Sequence, residues 1–223
     1  AGAPSTKVVV QHMGVPINKI EYSWRSFEQG TMNLISVCRL TEKKGIEFAL
    51  RALRQLSNAK PQLDWSYMII GGGELLDGLI KLAKSLGIAD RVTFLGSRPH
   101  SEVRQHLREA HVFLLPSVTA TDGDVEGIPV SLMEAMAAGL TVVSTYHSGI
   151  PELIDDQTTG FLVPERDVEA LAAKLLWIAE YPSQCERLAL AARRKIEGEF
   201  NADVLNDEFA RIVTNLAEAK IKL

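Results

Sequence analysis

Two glutamates near the middle of the chain, Glu126 and Glu134, are separated by seven residues with a predicted helix start between them. Because proline disrupts a helix interior but is tolerated in the first turn, Pro129 marks that start. Glu126 is then predicted on the loop before the helix and Glu134 in its first turns, so both carboxylates can face one ligand. Carboxylates accept hydrogen bonds from hydroxyl groups, and free helix N–H groups donate to anions. The pattern therefore suits a ligand that carries sugar hydroxyls and a phosphate.

Two other interpretations of this segment remain open. Ser131 and Glu134 have the spacing of a capping box, in which Glu134 would fold back onto its own helix start. Asp122-Gly123-Asp124 has the spacing of a metal-binding Asp-x-Asp motif. Such a tripeptide is more often a polar turn, and no strong third ligand is evident, so we predict no metal site.

Two cations follow an earlier predicted strand, at the edge where open parallel sheets bind ligands. Arg39 directly follows the end of that strand, and Lys44 lies near the start of the next helix. Two positive charges beside free helix N–H groups suit a phosphate or diphosphate. The alternative is that both side chains belong to the solvated surface.

Glycines follow the next predicted strand, at Gly71-Gly72-Gly73, where they allow either a close ligand or a tight turn. The segment is not a Walker A loop, since no Gly-Lys-Ser/Thr follows. It is not the dinucleotide fingerprint either, since Leu76 replaces the third glycine. His147 precedes another predicted helix entry, where a local polar contact is favoured over a place in the cleft.

Short apolar runs alternate with helical patterns as far as Pro164, after which the patterns are all helical. The strands are predicted at 33–38, 65–70, 91–95, 112–115, 141–144 and 160–163. The helices are predicted at 44–60, 74–86, 101–110, 131–138, 167–180, 183–197 and 203–223. Apolar runs without alternation are typical of strands covered on both faces. We therefore expect an α/β fold, a Rossmann-like parallel sheet with helices on both faces plus C-terminal helices.

The chain has 223 residues, 24 Lys plus Arg, 28 Asp plus Glu and a formal net charge of −4. This length fits one large domain, and the acidic balance argues against a nucleic-acid module. Cys38 is predicted to be buried and Cys185 to lie on a helix surface; two cysteines suit a reducing cytoplasm. Residues 7–17, KVVVQHMGVPI, predict a strand and a turn, either at a sheet edge or from a preceding domain. The missing initial Met suggests an excised piece.

Together these segments resemble the C-terminal domain of the family 4 retaining glycosyltransferases, which have the GT-B fold. The resemblance covers nearly the whole chain, and the glutamate spacing is its specific mark. The segment DGDVEGIPVSLMEAMAAG is most similar to bacterial exopolysaccharide enzymes of the colanic-acid type. The other matching segments are HMGVP, SVCRLTEKKG, IIGGGEL, VTFLGSRPHSEV, GIPELI and TGFLVP.

This resemblance implies transfer of a sugar from a nucleotide-diphosphate sugar to a polysaccharide or lipid-linked acceptor. Arg39 and Lys44 would bind the donor diphosphate and stabilise the leaving-group charge. Glu126 would contact the donor sugar, and Glu134 would hold the ribose hydroxyls. The remaining positions would bring backbone to the sugar and phosphate (Gly127, Ile128, Pro129) or border the base (Gly73, Ser97, Arg98).

The resemblance also implies that this chain is one half of a two-domain enzyme. Residues 1–30 would be an interdomain junction strand and linker, and residues 31–223 the donor-binding domain with trailing helices. An N-terminal domain with the acceptor site would be missing, so the fragment should bind nucleotide without catalysing transfer. No metal or other cofactor and no nucleic acid are expected. The parent would be cytoplasmic, with a peripheral place at the inner face of the plasma membrane allowed. Alternatives are another GT-B enzyme, such as a nucleotide-sugar epimerase, or a non-catalytic nucleotide- or partner-binding module.

Overall fold

A six-stranded parallel sheet forms the centre of the computed structural model, which describes residues 8–27 and 31–221. The strands are β1 (Met32–Val37), β2 (Trp65–Ile70), β3 (Val92–Gly96), β4 (Val112–Leu115), β5 (Thr141–Thr145) and β6 (Phe161–Val163). Their order is β3-β2-β1-β4-β5-β6, and every neighbouring pair is parallel. The predicted Rossmann-like α/β fold is therefore confirmed. The chain changes direction across the sheet between β1 and β4, the kind of switch point that opens a ligand crevice.

Eight α-helices connect and follow the strands in the described part of the chain. They are α1 (Ile46–Ala59), α2 (Leu76–Ser85), α3 (His100–Glu109), α4 (Val130–Ala138), α5 (Ile150–Leu153), α6 (Val168–Glu180), α7 (Pro182–Glu199) and α8 (Ala202–Ile221). The predicted bounds agree to within a few residues. One difference concerns the first helix, because Glu42–Lys44 form a separate 3₁₀ helix that left-handed Gly45 divides from α1.

The sheet separates two apolar layers, one on each face. In β4, Val112 and Leu114 pack with α1, α2 and α6, whereas Phe113 and Leu115 pack with α3, α4 and α7. Successive strand side chains point to opposite faces, so a strand covered on both sides needs an unbroken apolar run. The start of α7 also reaches the first layer, where Cys185 is fully buried, so its prediction as a helix-surface residue is wrong.

The predicted strand near the start of the chain is also wrong. Residues 8–14 have no regular secondary structure, and Val8, Val9 and Val10 are exposed. An apolar run forms a strand only where a neighbouring strand has a free edge to pair with it. In this segment the first backbone pairing is at Val15, beyond the apolar run. The Val15 N–H donates to the Phe200 carbonyl over 2.9 Å, so this segment is attached to the α7–α8 junction.

Some predicted positions lie outside the described residues: residues 1–7 and 28–30 of the junction, with Lys7 of its strand, and residues 222–223 of the last helix. The division of the chain at residue 30 stays a prediction.

Gly45 joins the loop after β1 to the residue that follows β4. Its φ of +63° is left-handed, and a Cβ there would lie 1.9 Å from the carbonyl oxygen of Pro116. A side chain would therefore have to separate these two segments at the switch point.

Gly45→Ala should lower the free energy of unfolding by about 2–4 kcal/mol, because it combines a strained φ with a backbone clash. Urea denaturation measures this. The control is Gly78→Ala in α2, where a Cβ meets no atom within 4 Å; it should raise stability by about 0.5–1 kcal/mol. Equal effects of the two substitutions would contradict this packing.

Candidate functional site

The 3₁₀ helix after β1 holds the loop after β4 across the switch point. The Val118 N–H donates to the Lys43 carbonyl over 2.9 Å. The Glu42 carboxylate accepts the Thr121 N–H at 3.1 Å and its hydroxyl at 2.8 Å. Lys43 Nζ lies 3.0 Å from the Asp124 carboxylate. The loop from residue 117 to residue 126 is thereby fixed beside the end of β1.

Lys44 and Glu126 form an ion pair at the end of this arrangement. Lys44 Nζ donates to Glu126 Oε2, and each side chain is only 14% exposed. Burial lowers the pKa of the Lys44 ammonium, although the Asp124 carboxylate opposes that shift. The surface alternative is therefore wrong for Lys44. Arg39 is exposed at the carboxyl end of β1.

Four of the predicted site residues surround one cavity of about 380 Å³ at the carboxyl ends of β1 and β2. They are Arg39, Ser97, Arg98 and Glu134. Gly71 and Gly72 also line it, whereas Gly73 lies outside the lining. A Cβ on Gly73 would meet the Leu40 carbonyl at 2.5 Å, so that glycine serves the close packing of two loops.

Glu134 projects into this cavity from the second turn of α4. Its side chain is 12% exposed, and Oε1 lies 3.7 Å from His100 Nδ1. Burial raises the pKa of the Glu134 carboxyl, while the neighbouring charges of His100 and Arg104 act in the opposite direction. A largely buried carboxylate that borders a cavity is suited to accept hydrogen bonds from ligand hydroxyls.

The capping-box alternative for Glu134 is wrong. Among the described residues, no side chain caps the start of α4, whose N-cap position is Pro129. The loop before α4 packs closely against Gly149, where a Cβ would come within 2.9 Å of the Ile128 side chain. Gly127 is exposed, and a Cβ there would meet no atom within 4 Å. The backbone at Gly127 is therefore open to solvent, and the first N–H groups of α4 have no side-chain cap.

Asp122 and Asp124 form a polar turn, as predicted. The Asp124 N–H donates to Asp122 Oδ1 over 2.9 Å, and Gly123 between them has a φ of +85°. Within residues 8–27 and 31–221, no three His, Cys, Asp or Glu side chains are grouped so that they could hold a metal ion.

Sequence reasoning missed a second set of contacts to Glu126, in addition to the ion pair with Lys44. His147 is 1% exposed, its Nε2 accepts the Glu126 N–H over 2.9 Å, and its Nδ1 lies 2.6 Å from Glu165. Glu165 also accepts the Thr119 N–H over 2.8 Å. Burial alone would raise the pKa of the Glu165 carboxyl, but hydrogen bonds from Thr119 and His147 lower it below its ordinary value. His147 follows β5 and Glu165 follows β6. Their positions just after the ends of strands were the sequence signal that could have indicated these contacts.

The family of glycosyl transferases group 1 matches residues 20–195. The chain belongs to this family. Amylovoran biosynthesis glycosyltransferase AmsK of Erwinia amylovora is 44% identical over 97% of this chain and 53% of its own length. Putative colanic acid biosynthesis glycosyltransferase WcaL of Escherichia coli is 42% identical over 96% of this chain and 53% of its own. This group 1 glycosyltransferase chain spans about half the length of these curated relatives.

Solved structures share the fold. HepE of Anabaena, in complex with UDP and glucose, has a TM-score of 0.83 and 21% identity, over 96% of this chain and 59% of that one. The C-terminal domain of LpcC from Francisella tularensis has a TM-score of 0.71 and 20% identity, over 84% of this chain and 98% of that one. The group 1 domain thus has the architecture found in one half of GT-B glycosyltransferases. None of its helices in the described ranges is both long and apolar enough to span a bilayer.

Glu134→Gln should stabilise the domain at neutral pH. The pKa of Glu134 is higher in the folded chain than in the unfolded chain. Between these two pKa values the folded chain binds more protons, so its stability falls as the pH rises through that window. Removing the ionisable group should add about 0.5–1 kcal/mol to the free energy of unfolding at pH 7.5. This gain in the free energy of unfolding should vanish at a pH below both the folded and the unfolded pKa of Glu134.

Urea denaturation at the two pH values measures this, with the exposed Glu199→Gln as the control that should change neither. A loss of stability in Glu134→Gln at pH 7.5 would show that the carboxylate contributes to folding.

Proposed function

We propose that this chain is the donor-binding half of an exopolysaccharide glycosyltransferase and holds a nucleotide-diphosphate sugar at the switch point. The observation that carries the proposal is the arrangement of two cations, Arg39 and Lys44, and two carboxylates, Glu126 and Glu134, around the carboxyl ends of β1 and β4. Cations suit a diphosphate and carboxylates suit hydroxyl groups, and a nucleotide sugar carries both. HepE, which shares the fold, is described in complexes with UDP and with UDP-glucose.

The cavity lining supports a division of roles along the donor. Glu134 would accept hydrogen bonds from the ribose hydroxyls, with Ser97 and Arg98 beside the base. Arg39 and Lys44 would meet the diphosphate next to them. Glu126 would reach the transferred sugar from the loop, and the backbone of residues 127–129 would donate to sugar and phosphate oxygens. Gly72, which lines the cavity, would border the base in place of Gly73.

The proposed chemistry is electrostatic. Cleavage of the bond between sugar and diphosphate leaves negative charge on the diphosphate, and fixed cations stabilise that charge as it develops. Lys44 is held by Glu126, so its ammonium needs little reorganisation when the charge appears. Because two protein cations supply this stabilisation, we extend the proposal to a metal-independent reaction.

The whole protein would have the two-domain organisation and retaining chemistry of family 4, with the acceptor site on the half outside this chain. AmsK and WcaL, each about twice as long as the matching region, are named for amylovoran and colanic acid biosynthesis. The exposed apolar side chains of α8 fit contact with that other half; they are Val204, Phe209, Val213 and Leu216. Two free cysteines support a cytoplasmic setting.

Calorimetric titration of the 223-residue chain with UDP, GDP, UDP-glucose and GDP-mannose tests the proposal. We expect weak binding of one nucleotide series and no sugar transfer by this chain alone. A folded sample that binds none of the four compounds would contradict the proposed function.

Arg39→Ala should weaken UDP or GDP binding about 10-fold, while binding of the corresponding nucleoside changes less than about 2-fold. The physical reason is that Arg39 would touch only the diphosphate. Arg51→Ala, which removes an exposed arginine from α1, is the matched control and should change neither affinity. Equal losses for nucleotide and nucleoside would overturn the role given to Arg39.

A further inference from the structure

His147 connects two loops that follow different strands. Its Nε2 lies 2.9 Å from the backbone nitrogen of Glu126, and its Nδ1 lies 2.6 Å from Glu165 Oε1. A backbone N–H can only donate, so Nε2 must carry the lone pair, and the ring proton must be on Nδ1, facing the carboxylate. The two contacts together select one tautomer of a neutral, buried imidazole.

We propose that His147 positions Glu126 for contact with the donor sugar, and that Glu165 acts on Glu126 through His147 by fixing the tautomer. His147 and Glu165 are positioning residues here, because neither needs to touch the ligand. This inference rests on the proposed function, in which Glu126 contacts the transferred sugar.

Glu165 is itself fixed independently of His147. Its Oε2 accepts the Thr119 N–H over 2.8 Å and lies 3.3 Å from Arg166 Nη1, and Arg166 also donates to the Thr119 carbonyl. The carboxylate therefore has a defined position before it meets the imidazole. A partner that is already held loses little conformational entropy when it orients a second group.

The backbone beside both positioning residues is strained. Ser148 and Arg166, the residues directly after His147 and Glu165, have φ values of +46° and +62°. Non-glycine residues rarely adopt this left-handed conformation, and such strain persists only where the surroundings impose it. Here it accompanies the two residues whose side chains converge on the Glu126 loop.

Glu126 is thus restrained at two points. His147 accepts its backbone N–H, and Lys44 binds carboxylate oxygen Oε2. Among the described residues, no hydrogen bond or ion pair takes Oε1. That oxygen remains for a hydroxyl group of the sugar, in a position that both restraints define.

The contact can be tested without any ligand. In a chain labelled with ¹⁵N, the hydrogen bond should produce a scalar coupling between the Glu126 amide nitrogen and His147 Nε2. The ¹⁵N shifts of the ring should identify Nδ1 as the protonated nitrogen. A missing coupling, or a proton on Nε2, would overturn the inference whether or not the chain binds nucleotides.

Two substitutions separate positioning from mere packing. In His147→Gln the side-chain oxygen can replace Nε2 as the acceptor, whereas in His147→Asn the amide can replace only Nδ1. We expect His147→Asn to weaken binding of UDP-glucose or GDP-mannose about 5- to 10-fold, and of UDP or GDP less than about 2-fold. His147→Gln should stay within about 3-fold of the unchanged chain for all four compounds.

The control is His111→Gln. His111 also accepts a backbone N–H, from Asn33 over 3.0 Å, but at the opposite end of the sheet. It should lower thermal stability without changing the difference in affinity between nucleotide sugar and nucleotide. Equal losses in His147→Gln and His147→Asn, or the same loss in His111→Gln, would reduce His147 to a structural residue. If the unchanged chain binds no nucleotide, the proposed function fails, and the coupling still decides the contact.

Discussion

The reversal of strand order between β1 and β4 is the constraint on which the candidate site depends. After β1 the chain continues into α1 on one face of the sheet, and after β4 it continues into α4 on the other face. Two connections that leave in opposite directions cannot fill the space between them, so a crevice remains at the carboxyl edge. Arg39 and Glu134 line the cavity at this edge. The ion pair of Lys44 and Glu126 joins the segments that follow β1 and β4.

A crevice is useful only if the loop that borders it has a fixed shape. Residues 121–125 of the loop after β4 are exposed, so apolar burial cannot hold that part of the loop. Polar contacts hold the loop there: its N–H groups donate to Glu42 on one side and to His147 and Glu165 on the other, and Lys43 binds Asp124. Each bond alone adds on the order of 1 kcal/mol, but together they restrain a loop whose own sequence has no regular structure. Rigidity at this point favours a ligand that needs several polar contacts at once.

The sequence allowed the sheet, most helices and the edge of the sheet where the cavity lies to be predicted, because apolar periodicity and proline and glycine positions are local signals. It did not indicate that Gly73 packs against Leu40 while Gly72 lines the cavity, since that depends on the distance between two loops. The strand predicted within residues 7–17 is wrong for residues 8–14, because strand formation depends on a free neighbouring edge. His147 contacts both Glu126 and Glu165, which are 39 positions apart in the sequence. Only the fold brings these three residues together.

The central claim, that a nucleotide-diphosphate sugar binds at the switch point, is tested most directly by following backbone amide NMR signals while UDP or GDP is added. The account predicts that the perturbed signals cluster at Arg39, Gly72, Ser97 and the start of α4, on the carboxyl edge of the sheet. Shifts confined to the groove at the opposite edge, lined by Lys60, Gln62 and Asp64, or the absence of any shift in a folded sample, would contradict it.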